Sequence, residues 1–85
     1  MSANDKKTIS AYILINIKLG FTEGVIAKLK EIPGITSVAV ITGEYDAIVR
    51  LETDSLKEMH ERTLEIHVID GIIETTTSII QVEFT

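Results

Sequence analysis

The chain contains no cysteine and no tryptophan, a single proline, and only two tyrosines and two phenylalanines. Without cysteine there is no disulfide, no thiolate metal site and no thiol redox switch. So few aromatic rings leave little on which exposed bases could stack. Positive charge is also scarce: 8 basic residues stand against 13 acidic ones, for a net charge of -5. The six lysines, Lys6, Lys7, Lys18, Lys28, Lys30 and Lys57, are scattered. Nucleic-acid binding draws most of its affinity from clustered cations, so this composition argues against direct contact with nucleic acid. No apolar run approaches the roughly 20 residues of a membrane span. The opening MSANDKKT lacks the apolar stretch of a signal peptide. The expected location is the cytoplasm, with no membrane partner.

What the sequence does have is aliphatic. Hydrophobic residues make up 45% of 85 residues, which is a globular composition and enough for one domain. A domain of this size buries only about 60–65% of its unfolded surface, so association would add stability. Residues 1–8 read as a flexible tail, and residues 9–85 as the domain.

The elements follow from periodicity. Ile9 to Lys18 alternates, with Ile9, Ala11, Ile13, Ile15 and Ile17 on one side and Tyr12, Leu14 and Asn16 on the other. Gly20 ends this strand, and Thr22 is the expected N-cap of a first helix with Glu23 in its first turn. Val25, Leu29 and Ile32 form its apolar stripe, Ile26 flanks them, and Pro33-Gly34 stops it. Ile35 to Thr42 and Ala47 to Thr53 read as strands joined by a turn. Asp54 and Ser55 open a second helix whose stripe is Leu56, Met59, Thr63 and Ile66. Ile72 to Phe84, rich in β-branched residues, reads as a long last strand.

The order is βαββαβ. The exit Ile32-Pro33-Gly34-Ile35 after the first helix is echoed by Ile69-Asp70-Gly71-Ile72 after the second. Two matching βαβ halves predict an α+β, ferredoxin-like sandwich: a four-stranded antiparallel sheet with both helices on one face. The face left uncovered is not polar, since it includes Tyr12 and Leu14, and the second strand is apolar on both sides. An uncovered apolar face marks an interface, so a homodimer through the sheet is expected.

The hairpin Thr42-Gly43-Glu44-Tyr45-Asp46 interrupts this apolar stretch. It offers groups that suit a zwitterion: a carboxylate on Asp46 for an ammonium, and backbone N–H groups around Gly43 and Glu44 for a carboxylate. Tyr45 is placed to wall such a site, and Thr75 and Thr77 offer hydroxyls on one strand face. Each residue also has an ordinary use. Gly43 supplies a positive φ, Asp46 caps its own turn, Tyr45 packs on a neighbouring subunit, and the threonines are plain strand residues. A simple hairpin would accept Asn or Ser at position 46, so Asp46→Ala is expected to spare the fold and oligomer and to weaken ligand binding. Arg50 shares strand parity with Asp46 and Glu52 and can pair with either.

Three segments together resemble the ligand-binding domain of the Lrp/AsnC regulators, the domain for regulation of amino acid metabolism. They are Ile32-Pro33-Gly34-Ile35, then Thr42-Gly43-Glu44-Tyr45-Asp46 followed by Ala47-Ile48-Val49-Arg50, then Ile69-Asp70-Gly71-Ile72 leading into Thr75, Thr77, Ile79 and Ile80. The resemblance covers Ile9 to Phe84. It implies dimers that associate through their sheets, higher oligomers of dimers, and an amino acid or related small molecule bound between subunits. The hairpin and the threonine-rich last strand would lie at that site. Typical members also carry an N-terminal helix-turn-helix. The short polar stretch before Ile9 does not resemble one, so the expected form is the stand-alone domain, acting on transcription indirectly through assembly or through full-length Lrp/AsnC partners.

Two other chemistries have some footing in the sequence. His60 and His67 lie seven residues apart on the second helix, about 10 Å of rise. That is too far for one metal within one chain, although the two could meet across an interface. With neighbouring Glu58, Glu61 and Glu65 they would suit copper or zinc; the plainer reading is surface residues, with no cofactor expected. Catalysis finds no nucleophile elbow and no phosphate-cradling loop. A small dimeric α+β barrel enzyme has the same fold and is the alternative, and a cavity between sheet and helices would favour it.

Overall fold

The structure, a computed structural model, describes residues 8–84. The expected tail over residues 1–8 falls outside them except for Thr8, which is exposed. Six elements follow in the predicted order: β1 (Ile9–Ile17), α1 (Thr22–Leu29), β2 (Ile35–Val40), β3 (Ala47–Thr53), α2 (Leu56–His67) and β4 (Ile72–Ile79). They form one antiparallel sheet in the order β2-β3-β1-β4. The architecture is the ferredoxin-like sandwich that the pattern predicts.

The core lies between sheet and helices. Ala11, Ile13, Ile15 and Ile17 from β1 meet Ala47, Val49 and Leu51 from β3, with Val25 and Leu29 from α1 and Met59 and Ile66 from α2. Alternation explains the strand contributions, and both helices reach the core through residues near one stripe. Leu56, expected on the α2 stripe, is instead 62% exposed. The only buried polar side chain among the described residues is Thr53, whose hydroxyl donates to the Ser55 carbonyl at 3.0 Å.

The two helices start differently. Ser55 caps α2: its hydroxyl accepts from the Glu58 N–H at 3.1 Å, while Glu58 Oε1 accepts from the Asp54 N–H at 3.0 Å. Ser55 and Glu58 thus make a capping box shifted by one residue on its return arm. Thr22 does not cap α1. The N-cap position is Phe21, with no side-chain cap bond, and Thr22 is already helical.

The repeated exits are geometrically equivalent. Gly34 and Gly71 have φ of +95° and +102°. Each lies inside a turn closed by a 3.3 Å bond, Ile35 N–H to the Ile32 carbonyl and Ile72 N–H to the Ile69 carbonyl. Each gives its carbonyl to a strand N–H: Gly34 to Glu52 at 2.8 Å, and Gly71 to Lys18 at 2.7 Å. The sequence echo is therefore one turn used twice to pin a helix exit to the neighbouring strand.

The last strand is shorter than predicted. β4 ends at Ile79, one further bond runs from the Ile80 N–H to the Ser10 carbonyl at 2.8 Å, and residues 81–84 leave the ladder.

Candidate functional site around the Thr42–Asp46 hairpin

The sheet sorts the candidate residues by face. Thr76 pairs with Leu14, which pairs with Ile48, and these three lie on the open face away from the helices. Thr75 pairs with Ile15, and Thr77 with Ile13, so both sit on the helix side at the sheet edge. The hairpin lies against the open-face residue: the Tyr45 hydroxyl is 3.2 Å from Thr76 Oγ1. Thr75 Oγ1 instead meets His67 Nε2 at 2.7 Å. Thr42, Gly43, Glu44, Tyr45 and Asp46 are thus gathered with Thr76, while Thr75 and Thr77 belong to the other side of the strand. Thr76 was missed by sequence reasoning. Three threonines in a row carry no sign of which one faces the hairpin, and only the strand register decides it.

Asp46 is bound into the sheet end. Its Oδ2 accepts from the Ile17 N–H at 2.8 Å, and its own N–H donates to the Ile15 carbonyl at 2.9 Å. Its carbonyl accepts from the Ile41 N–H at 2.9 Å, closing the hairpin. The register of β1 against β4 shifts between Asn16 and Ile17. The Asp46 carboxylate serves the Ile17 N–H at that irregularity, where an unmet donor would be costly. Its other oxygen has no hydrogen-bond partner among the described residues.

The hairpin tip is open. Gly43 has φ +142°, and a Cβ built there would meet nothing within 4 Å. Among the described residues, the N–H groups of Gly43 and Glu44 donate to no other group. Gly43 and Glu44 are exposed. One free carboxylate oxygen, two backbone donors and a fixed phenol-threonine pair therefore lie within one turn and its neighbour. Two hollows on the surface lie elsewhere. One of about 290 Å³ is lined by Ile26, Lys30 and Val38, and one of about 440 Å³ by Phe21, Lys28 and Val68. The space between sheet and helices is filled by Ile13, Ile15, Leu29, Leu51, Ile66, Val25 and Val49, each under 2% exposed.

Arg50 stands at the centre of the open face and does not reach Asp46. It holds Glu52 at 3.1 Å through Nε, and both Glu83 oxygens at 3.1 Å through Nη1 and Nη2. It also donates to the Tyr12 hydroxyl at 3.1 Å and lies 5.4 Å from that ring's centroid. Glu83 first, then Glu52 and Tyr12, hold the guanidinium further above its ordinary range. The stability linked to a raised cation pKa is complete below the unfolded value and is lost only above it. Arg50 itself therefore adds no pH dependence near neutrality.

His60 is exposed on α2, and His67 is engaged by Thr75. Among the described residues no three His, Asp or Glu side chains gather where they could hold a metal ion, and no helix is long and apolar enough to cross a membrane.

Comparison with known proteins gives a consistent result. The family model described as the Lrp/AsnC ligand binding domain matches residues 10–84. The HTH-type transcriptional regulator FL11 of Pyrococcus furiosus is 35% identical over 72 residues, covering 85% of this chain and 48% of the regulator. The chain thus spans about half the length of that relative. The crystal structure of FFRP-DM1 is 36% identical, with a TM-score of 0.80 over 85% of this chain and 97% of that one. A transcriptional regulator from Neisseria meningitidis, solved as a complex with L-Met, shares the fold at 19% identity, with a TM-score of 0.84 over 91% of this chain and 52% of that one.

Proposed function

We propose, for a chain that belongs to the Lrp/AsnC ligand-binding domain family, that it senses an amino acid or related zwitterion at the Thr42–Asp46 hairpin and transmits binding through assembly. The observation that carries this is the free oxygen of Asp46 beside the uncommitted N–H groups of Gly43 and Glu44. A zwitterion needs an acceptor for its ammonium and donors for its carboxylate, and charge-assisted bonds of this kind are roughly twice as strong as neutral ones. The Tyr45–Thr76 contact fixes the turn against β4, which limits the ordering cost of binding. The hairpin groups are open to solvent in one protomer, and a second subunit completes the site. The L-Met complex of the Neisseria regulator supports the ligand class.

The open face of the sheet, with Tyr12, Leu14, Ala39 and Ile48, is the surface through which two copies pair, and pairs then assemble further. The output is regulatory and indirect: ligand changes the assembly, or changes docking onto full-length Lrp/AsnC regulators, with no chemical step. The filled space between sheet and helices disfavours the small barrel enzyme, whose substrate would need that space.

A thermal-shift panel of the twenty amino acids tests this reading, with zinc and copper as controls. Ligand at 100 times its dissociation constant adds about 2.7 kcal/mol, and each kcal/mol moves the melting of so small a domain by roughly 4–8 °C. A shift with one amino acid that is lost in Asp46→Asn is the expected result. A panel with no amino-acid response overturns the sensor reading.

A further inference from the structure

The segment after β4 has a pattern that its own protomer does not use. Ile80-Gln81-Val82-Glu83-Phe84 alternates as a strand does, yet residues 81–84 pair with no strand of the sheet. Strand order shows where the segment goes. β4 is at the edge, β1 is next to it, and β3 lies beyond β1. Glu83 nevertheless grips Arg50 on β3 through two parallel bonds of 3.1 Å. The Glu83 carboxylate therefore lies over the open face, at the Arg50 guanidinium that also holds Tyr12 of β1. With Glu83 turned toward the sheet, the side chains on either side of it turn outward: Val82 is 65% exposed and Phe84 is 89% exposed.

We infer that residues 80–84 are a strap in the interface between two copies of this chain, with Glu83 latched to its own Arg50 while Val82 and Phe84 pack on the open face of the second copy. The inference rests on the sheet-to-sheet pair of the proposed function and adds the element that completes it. A second copy is the occupant for three reasons. The strap lies on the face that pairs, so in a twofold arrangement its outward side chains meet the other copy. That copy presents apolar Leu14 and Ile48, neighbours across β1 and β3. Arg50 also enters the interface already paired with Glu52 and Glu83, in a cluster of one net negative charge, so its cation is not buried alone.

Sedimentation equilibrium on the whole chain tests the strap, comparing wild type with the double variant Val82→Ser/Phe84→Ser and with Glu83→Gln. Both sites of the double variant are exposed, and circular dichroism checks that its fold is retained. The double variant is expected to raise the dimer dissociation constant at least ~10-fold, as loss of a buried aromatic anchor does. Glu83→Gln keeps the apolar side chains and loosens the latch, with an expected rise of ~3-fold or more. A dimer unchanged in the double variant overturns the strap and leaves the sheet-to-sheet pair standing. A dimer weakened in the double variant but unchanged in Glu83→Gln overturns the latch. A wild-type chain that stays monomeric overturns the strap and the dimer reading together.

Discussion

The Asp46 carboxylate accepts the Ile17 N–H at 2.8 Å across 29 residues of sequence. This bond ties the β2–β3 hairpin to the end of β1 where its pairing with β4 shifts. Asp46 therefore has a structural use that a local turn cap would not give it, and the effects of substituting it separate into two. Asp46→Ala leaves the Ile17 donor without its acceptor and is expected to cost about 1–2 kcal/mol. Asp46→Asn keeps an oxygen for Ile17 and removes the charge. Asparagine is expected to leave urea-denaturation stability within about 0.5 kcal/mol of wild type and to abolish the amino-acid shift. Equal losses of stability in both variants would mean that the charge, and not the acceptor, supports the sheet end.

The glycines at the two helix exits predict opposite signs from a third. A Cβ on Gly34 would sit 2.6 Å from the Glu52 carbonyl oxygen, which is backbone and held in a bond. With φ at +95°, the left-handed penalty of roughly 1–2 kcal/mol adds to that clash. Gly34→Ala is expected to cost at least ~3 kcal/mol. Gly71→Ala meets the Cβ and ring of Phe21 at 2.6–2.8 Å; the ring can turn but the Cβ is fixed to its backbone, and with φ at +102° the cost is expected to be comparable. Gly24, inside α1 with nothing within 4 Å, is the control. Alanine there is expected to stabilise by about 0.5–1 kcal/mol. Melting temperatures of the three variants check the order.

The same comparison shows what the sequence could carry. Exits that repeat as Ile-x-Gly-Ile predict one turn used twice, and the structure has it, because a backbone with positive φ leaves a local mark. Strand β3 is legible to the residue because it is buried on alternate positions between two neighbours. The end of β4 is not legible. Ile80 to Phe84 has strand composition, and where its pairing stops depends on a partner strand far away in sequence. Thr76 was hidden for a similar reason, since the register Leu14 to Thr76 is a long-range property. Thr22 failed as a cap because capping requires a non-helical residue with its side chain turned back, and Phe21 occupies that place.

Ser55 supplies a prediction confined to stability. Its hydroxyl and the Glu58 carboxylate each satisfy one N–H at the start of α2. Ser55→Ala is expected to cost about 1 kcal/mol, and glycine only a few tenths. Both leave the hairpin untouched, so neither is expected to change the amino-acid response. Chemical denaturation with and without ligand checks the separation.

The Tyr45–Thr76 contact is exposed, and its 3.2 Å length is long for a hydroxyl pair. Its worth to the fold is therefore small, and its worth to binding depends on holding the hairpin still. In a double-mutant cycle of Tyr45→Phe and Thr76→Val, the coupling in stability is expected to be about 0.5 kcal/mol. Each single variant keeps the ring or the β-branch, so packing is little changed. If the pair organises the site, amino-acid affinity falls by a similar factor in either single variant and by little more in the double one, since the second substitution breaks a contact already lost. Affinities that fall independently would mean that each hydroxyl meets the ligand directly. Calorimetric titration of the four proteins with the responding amino acid distinguishes the two arrangements.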